Sequence, residues 1–262
     1  MYILIMSDII LKTEHLARHF GRFPAVEDLS LDIYKGDIYG FLGLNGAGKT
    51  TTIRMLLRLI RPESGRITVF GKDFNADYLE IMRSIGGLVE IPCFYPYLSA
   101  RDNLLLLMRL QMVADKSLRY SVTDELLSAV GLRERCNDRV RTYSLGMRQR
   151  LGVAAALLPA FIPQRTPNQT PLIILDEPTN GLDPQGIADI RNLIKKLNKE
   201  KQVTFFISSH LLSEIELLCN RVGIIRQGKL VISEDLAKLL KAEGIEITEP
   251  KRPLEKYFMG LM

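Results

Sequence analysis

Residues 43–51 read Gly43-Leu44-Asn45-Gly46-Ala47-Gly48-Lys49-Thr50-Thr51 and meet every fixed position of the phosphate-binding pattern G-x-x-x-x-G-K-[ST]. The pattern constrains the fold because it works only where a buried strand turns into a helix. Both flanks comply. The apolar run Ile38-Tyr39-Gly40-Phe41-Leu42 precedes it, and residues 51–59 have helical periodicity. Glycines at 43, 46 and 48 bring consecutive N–H groups onto phosphate oxygens, and the helix that follows adds the positive end of its dipole. Lys49 would reach the β- and γ-phosphates. Thr50 would offer a hydroxyl to Mg²⁺, a hard cation that takes few protein ligands. Asn45, Gly46, Ala47, Gly48, Lys49, Thr50 and Thr51 are therefore the expected contacts of a nucleoside triphosphate.

A second segment, Leu172-Ile173-Ile174-Leu175-Asp176-Glu177, is a continuous apolar run ending in adjacent carboxylates. A buried parallel strand delivers its carboxyl end to the sheet edge where open α/β folds bind ligands. Asp176 is suited to hold Mg²⁺ through water, and Glu177 to polarise an attacking water near the γ-phosphate. Between the two segments lies Tyr143-Ser144-Leu145-Gly146-Met147-Arg148-Gln149-Arg150-Leu151. Ser144 is a good helix N-cap and Gly146 permits close backbone approach, so this is a second helix start able to read an anion. A chain with one phosphate loop and a surplus half-site makes sense if two copies face each other.

In this order the residues resemble the nucleotide-binding subunit of an ATP-binding cassette (ABC) transporter. Residues 43–51 match the Walker A loop, 144–149 the family signature and 172–177 the Walker B strand. Asn180-Gly181-Leu182-Asp183 resemble the D-loop, and Ser208-Ser209-His210 resemble the switch histidine after the strand near 203–207. The resemblance covers nearly the whole chain. It implies ATP and Mg²⁺ as ligands, catalysis by Glu177, His210 and Lys49, and contact of His210 with the γ-phosphate. It also implies that Asp183 belongs to the nucleotide interface. Phe20 stands where the family carries an aromatic that stacks on adenine, with Val26 as support on the other side. Phe20 would serve equally in the core of a small N-terminal β region.

The chain departs from the family at three places. Glu90 stands where a glutamine is common, at the end of a strand near residue 89, and adds negative charge close to the γ-phosphate and Mg²⁺. With Phe94-Tyr95-Pro96-Tyr97-Leu98 after it, this segment resembles the exporter branch that handles bacitracin, lantibiotics and similar peptides. Leu145 and Met147 replace glycine and a glutamine-like residue in the signature, whereas Ser144 and Gly146 remain. Residues 159–171 carry Pro159, Pro163, Pro167 and Pro171 among polar residues, which predicts an exposed loop.

The strand pattern near 9–19, 26–34, 37–42 and 65–71, and again at 172–175, 203–207, 222–226 and 229–233, alternates with helices at 186–199 and 212–219. It predicts an α/β fold. A mostly parallel P-loop core sheet carries an antiparallel β patch and an inserted helical lobe, with amphipathic patterns at 103–112 and 122–130. The expected layout is one ABC ATPase domain over 1–245, its helical lobe at about 91–158, and a short tail over 246–262. Residues 2–6 read as an unstructured or strand-like extension. The formal charge of +5 comes without a basic run interleaved with aromatics, so no nucleic-acid partner is expected. Three scattered cysteines in no metal spacing read as reduced thiols. No apolar run approaches the roughly 20 residues of a membrane span. The expectation is a peripheral protein at the cytoplasmic face of the membrane. It would drive a separate multi-span permease as a homodimer or paired with a different cassette. A soluble ABC-type ATPase of translation or DNA repair is the alternative. A phosphate-loop kinase or GTPase has no use for the signature or His210.

Overall fold

The computed structural model describes residues 9–163 and 170–242. The expected N-terminal extension, residues 164–169 of the proline-rich loop and the C-terminal tail lie outside the described residues. In chain order the elements are β1 (Ile9–Phe20), β2 (Phe23–Tyr34), β3 (Ile38–Leu42), α1 (Lys49–Leu56), β4 (Ser64–Val69), β5 (Lys72–Asp73), α2 (Tyr78–Met82), β6 (Ile85–Leu88), α3 (Ala100–Leu110) and α4 (Lys116–Ala129). They continue as α5 (Leu145–Ala156), α6 (Leu158–Phe161), β7 (Leu172–Asp176), α7 (Pro184–Lys201), β8 (Thr204–Ser209), α8 (Leu212–Leu218), β9 (Arg221–Arg226), β10 (Lys229–Asp235) and α9 (Leu236–Ala242). The α/β class, the mostly parallel sheet and the antiparallel patch hold as expected.

The described residues fall into two compact units, one of residues 9–81 and 204–242 and one of 82–163 and 170–203. The first unit carries the antiparallel sheet, in the order β2-β1-β4-β5, and the strands β3, β8, β9 and β10. β3 runs parallel to both β8 and β9, and β10 closes antiparallel on β9. Every residue of β3 and β8 is buried, as expected of strands covered on both faces. Their cross-strand partners Tyr39 and Phe206 stack with ring centroids 5.7 Å apart, and Phe41 lies 5.1 Å from the same Phe206 ring. β1 and β2 are long enough to need irregularities. At two of them His15 and Asp28 adopt positive φ and join through Nδ1 and Oδ1 at 2.6 Å.

The second unit pairs β6 and β7 in parallel and contains α3 to α7. The helical lobe starts later than residue 91, because residues 91–99 carry no helix and α3 begins only after Ser99. Ser99 caps that helix reciprocally with Asp102, its Oγ accepting the Asp102 N–H and donating to the carboxylate. The buried Asn103 side chain bonds the N–H and carbonyl of Tyr95 and the Ser99 carbonyl, which ties the preceding turn to α3. The expected loop also starts later than 159. Pro159 lies in the first turn of α6, where a missing N–H costs nothing, and is buried there.

Candidate functional site

In the first unit the phosphate loop leaves β3 and enters α1 without a break. Gly48 is the residue before the helix and has φ 110. A Cβ at that position would stand 2.4 Å from the Ala25 carbonyl oxygen, so glycine is required twice, for the dihedral and for the space. Gly46 also takes positive φ, at 80. Asn45 and Gly46 are exposed, whereas Ala47, Gly48 and Lys49 are buried and Thr50 and Thr51 half-buried. Lys49 is only 5% exposed. It donates to the carbonyls of Gly43 at 2.7 Å and Leu44 at 3.2 Å, so the loop wraps its own cation. The loop is held from below by backbone bonds from Gly228 N–H to Ala47 and from Glu27 N–H to Gly228.

His210 follows Ser209, the last residue of β8. Ser209 pairs across the parallel ladder with Leu42, the last residue of β3. Parallel pairing therefore brings His210 and the start of the phosphate loop to the same carboxyl edge, although 167 residues separate Gly43 from His210 in sequence. Phe20 ends β1 and is 47% exposed, with the Arg18 guanidinium 5.2 Å from its ring centroid. Val26 differs from expectation. It is fully buried in the core on β2 and offers a base no surface. Phe23, paired with Phe20 across the hairpin, is also exposed, and it lines a cavity of about 670 Å³ that includes Gly46.

In the second unit Asp176 ends β7, buried, and Glu177 follows it half-buried with φ 48. Leu175 pairs with Leu88 across the parallel β6–β7 ladder. Glu90 and Glu177 thus stand equally far past facing strand residues, and Glu90 shares the left-handed backbone with φ 54. Ser144 caps α5 as expected, its Oγ accepting the Met147 N–H at 3.2 Å. Gly146 lies against the 180–183 turn, where a Cβ would sit 3.0 Å from the Gly181 carbonyl oxygen. Signature and D-loop are therefore in contact within one unit. Asp183 uses its carboxylate to cap α7, accepting the Gly186 N–H at 2.9 Å with Pro184 in the first turn.

Two residues of the signature helix went unassigned in the sequence. Gln149 is 4% exposed and donates from Nε2 to the carbonyls of Glu177 at 3.3 Å and Pro178 at 3.2 Å. Arg150 donates to the Val130 carbonyl and pairs with Asp189 of α7 at 3.0 Å. Gln185 and then Arg150 hold the Asp189 carboxyl below its ordinary pKa.

The Thr50 hydroxyl and the Asp176 and Glu90 carboxylates are hard oxygen donors of the kind Mg²⁺ accepts. Among the described residues no group of three or more His, Cys, Asp or Glu side chains could hold a metal by itself. Mg²⁺ keeps waters and leans on phosphate oxygens, so it takes few donors from the protein.

The comparison that decides the family is the match of residues 26–180 to the model for ABC transporters. The chain belongs to the ABC transporter family. As a member of it, the chain is an ATP-binding, ATP-hydrolysing cassette. Its resemblance to the bacitracin and lantibiotic branch holds as well. Over 226 residues it is 51% identical to the bacitracin transport ATP-binding protein BcrA of Bacillus licheniformis, covering 86% of this chain and 69% of that one. It is 36% identical to the lantibiotic transport ATP-binding protein SrtF of Streptococcus pyogenes, with 86% and 91% covered. Among solved structures, the ATP-binding subunit of an ABC transporter superposes with a TM-score of 0.79 at 23% identity, over 94% of this chain and 98% of that one. A dimeric ATP-binding cassette in a post-hydrolysis state with ADP and Pi superposes at 0.77 and 23% identity, over 87% and 99%. These two likenesses establish the ABC ATPase fold.

Proposed function

We propose that this cassette hydrolyses ATP to drive a separate membrane permease that exports a peptide antibiotic or a similar amphipathic compound. The observation that carries this reading is the 51% identity with a bacitracin transport ATP-binding protein, in a chain that keeps every phosphate-loop position. A second relative, named for lantibiotic transport, supports the same substrate class. No helix among the described residues is long and apolar enough to cross a membrane.

Two cassettes, identical or different, meet head to tail. Each ATP is held by residues 43–51 of one and by Ser144 and Gly146 of the other. The loop N–H groups and the start of α1 take the β- and γ-phosphates. Lys49 and His210 stabilise charge that develops on the γ-phosphoryl oxygens. Glu177 accepts a hydrogen bond from the attacking water and aims it in line. Phe20 stacks on adenine. Thr50, Asp176 and Glu90 would hold Mg²⁺, which would supply neutralisation of the phosphate charge. Asp183 acts at the cassette interface through the turn it closes. Hydrolysis lets the pair separate, and the cycle of closure and opening moves the permease from the cytoplasmic face, where the cassette is peripheral.

The test is to recover the tagged chain from detergent-solubilised membranes of its own cell and to identify what comes with it by mass spectrometry. A multi-span membrane protein is the expected companion. Ribosomal or DNA-repair proteins, recovered with no membrane protein, would replace this reading with that of a soluble ABC-type ATPase.

A further inference from the structure

Gln149 sits on α5 and takes no part in the proposed contact with phosphate, which the signature assigns to Ser144 and Gly146. It is nevertheless one of the few polar side chains in the second unit that is almost completely buried. A buried amide must spend its hydrogen bonds within the protein. Gln149 directs its Nε2 at a single peptide segment, donating to the carbonyls of Glu177 and Pro178. Both partners are acceptors, so the NH₂ end of the amide must face them, which fixes its orientation.

That segment needs holding. Glu177 has φ 48, a left-handed conformation that a glutamate adopts only when its surroundings impose it. Pro178 cannot help from its own side, because it has no N–H. The Glu177 carbonyl instead accepts from two directions, from Gln149 Nε2 and from the Asn180 N–H at 3.1 Å. With the peptide oxygen clamped from helix and turn together, the Cα–Cβ vector of Glu177 is set, and with it the place of its carboxylate.

We propose that Gln149 is a positioning residue for hydrolysis: through the Glu177 and Pro178 carbonyls it holds the backbone from which the Glu177 carboxylate aims the attacking water. This rests on the assignment of Glu177 above. Positioning errors of about 1 Å cost on the order of 100-fold in rate while leaving substrate binding intact. Gln149→Leu keeps the buried volume approximately and removes both donors.

The experiment is steady-state ATPase kinetics of the full chain as wild type, Gln149→Leu, Glu177→Gln and the double variant, with ATP-driven dimerisation followed by size exclusion in the Glu177→Gln background. The expected result is a fall in kcat of about 10- to 100-fold for Gln149→Leu with KM for ATP within about twofold. The double variant should be no slower than Glu177→Gln alone, since both changes remove the same function. It should also dimerise on ATP as Glu177→Gln does. Unchanged kcat in Gln149→Leu, multiplied losses in the double variant, or loss of the ATP-driven dimer would each overturn the proposal. The last outcome would place Gln149 in the signature contact instead. If Gln149→Leu does not fold, Gln149→Glu, which turns acceptors toward the same carbonyls, must show the same split between kcat and KM. Wild-type turnover in Glu177→Gln would count against the catalytic reading itself, whatever Gln149 does.

Discussion

Glu90 and Glu177 each stand two residues past strand positions that face each other, Leu88 and Leu175, and each has φ near 50. A left-handed non-glycine residue costs about 1–3 kcal/mol, and such strain persists where function over-determines the conformation. Two such glutamates on neighbouring strand ends support the proposal that Glu90 works beside Glu177. We predict that Glu90→Gln alters the ATPase rate, the transport it drives, or both, because it removes one negative charge beside the site. A variant equal to wild type in vesicle transport and in phosphate release would remove Glu90 from the coupling role. At this scale motif chemistry lets the sequence nominate Lys49, Ser144, Asp176 and Glu177, and Ser144 caps α5 as the motif requires. It was silent about Gln149, whose partners lie 28 and 29 residues further on and carry no side-chain signature, being carbonyls. Val26 was misjudged because an apolar residue near a strand start reads the same whether it faces a ligand or the core.

Elements with a strong apolar run or a cap were legible, and short ones were not. β3, β7 and β8 are buried throughout and announce themselves as parallel strands. β6 is four residues with two glycines, and only its pairing with β7 makes it a strand. α4 starts six residues before the apolar pattern at 122, because the Asp115 carboxylate caps it by accepting the N–H groups of Ser117 and Leu118. The turn from β2 into β3 carries a testable charge. Asp37 is buried, and its carboxylate accepts the Tyr34 N–H at 2.9 Å and meets Arg221 at 3.3 Å. Burial outweighs these partners and raises its pKa. Between the ordinary carboxylate value, about 3.9, and the raised one, the folded chain binds more protons than the unfolded chain, so this group's contribution to stability falls as pH rises. Urea denaturation of wild type and Asp37→Asn across that window should show the variant gaining relative stability with increasing pH. A constant difference would contradict the burial argument.

For the whole molecule, the alternation of strands and helices was enough to give an α/β fold with an antiparallel patch and a helical insertion, because each pattern matches one kind of burial. The division into units was not visible, since no change of composition marks residues 81 or 204. The phosphate loop, Phe20 and His210 belong to the first unit, and Glu90, Ser144, Gln149, Asp176 and Glu177 to the second, and the proposed reaction assigns each a role. Its central claim is that Glu177 drives hydrolysis of an ATP shared by two cassettes. The direct measurement is phosphate release and size exclusion of wild type and Glu177→Gln, each with ATP and Mg²⁺. The account predicts turnover by the wild type, a rate at least about 100-fold lower in the variant, and an ATP-dependent dimer that persists only in the variant. Wild-type turnover by Glu177→Gln, with no stable dimer, would contradict it.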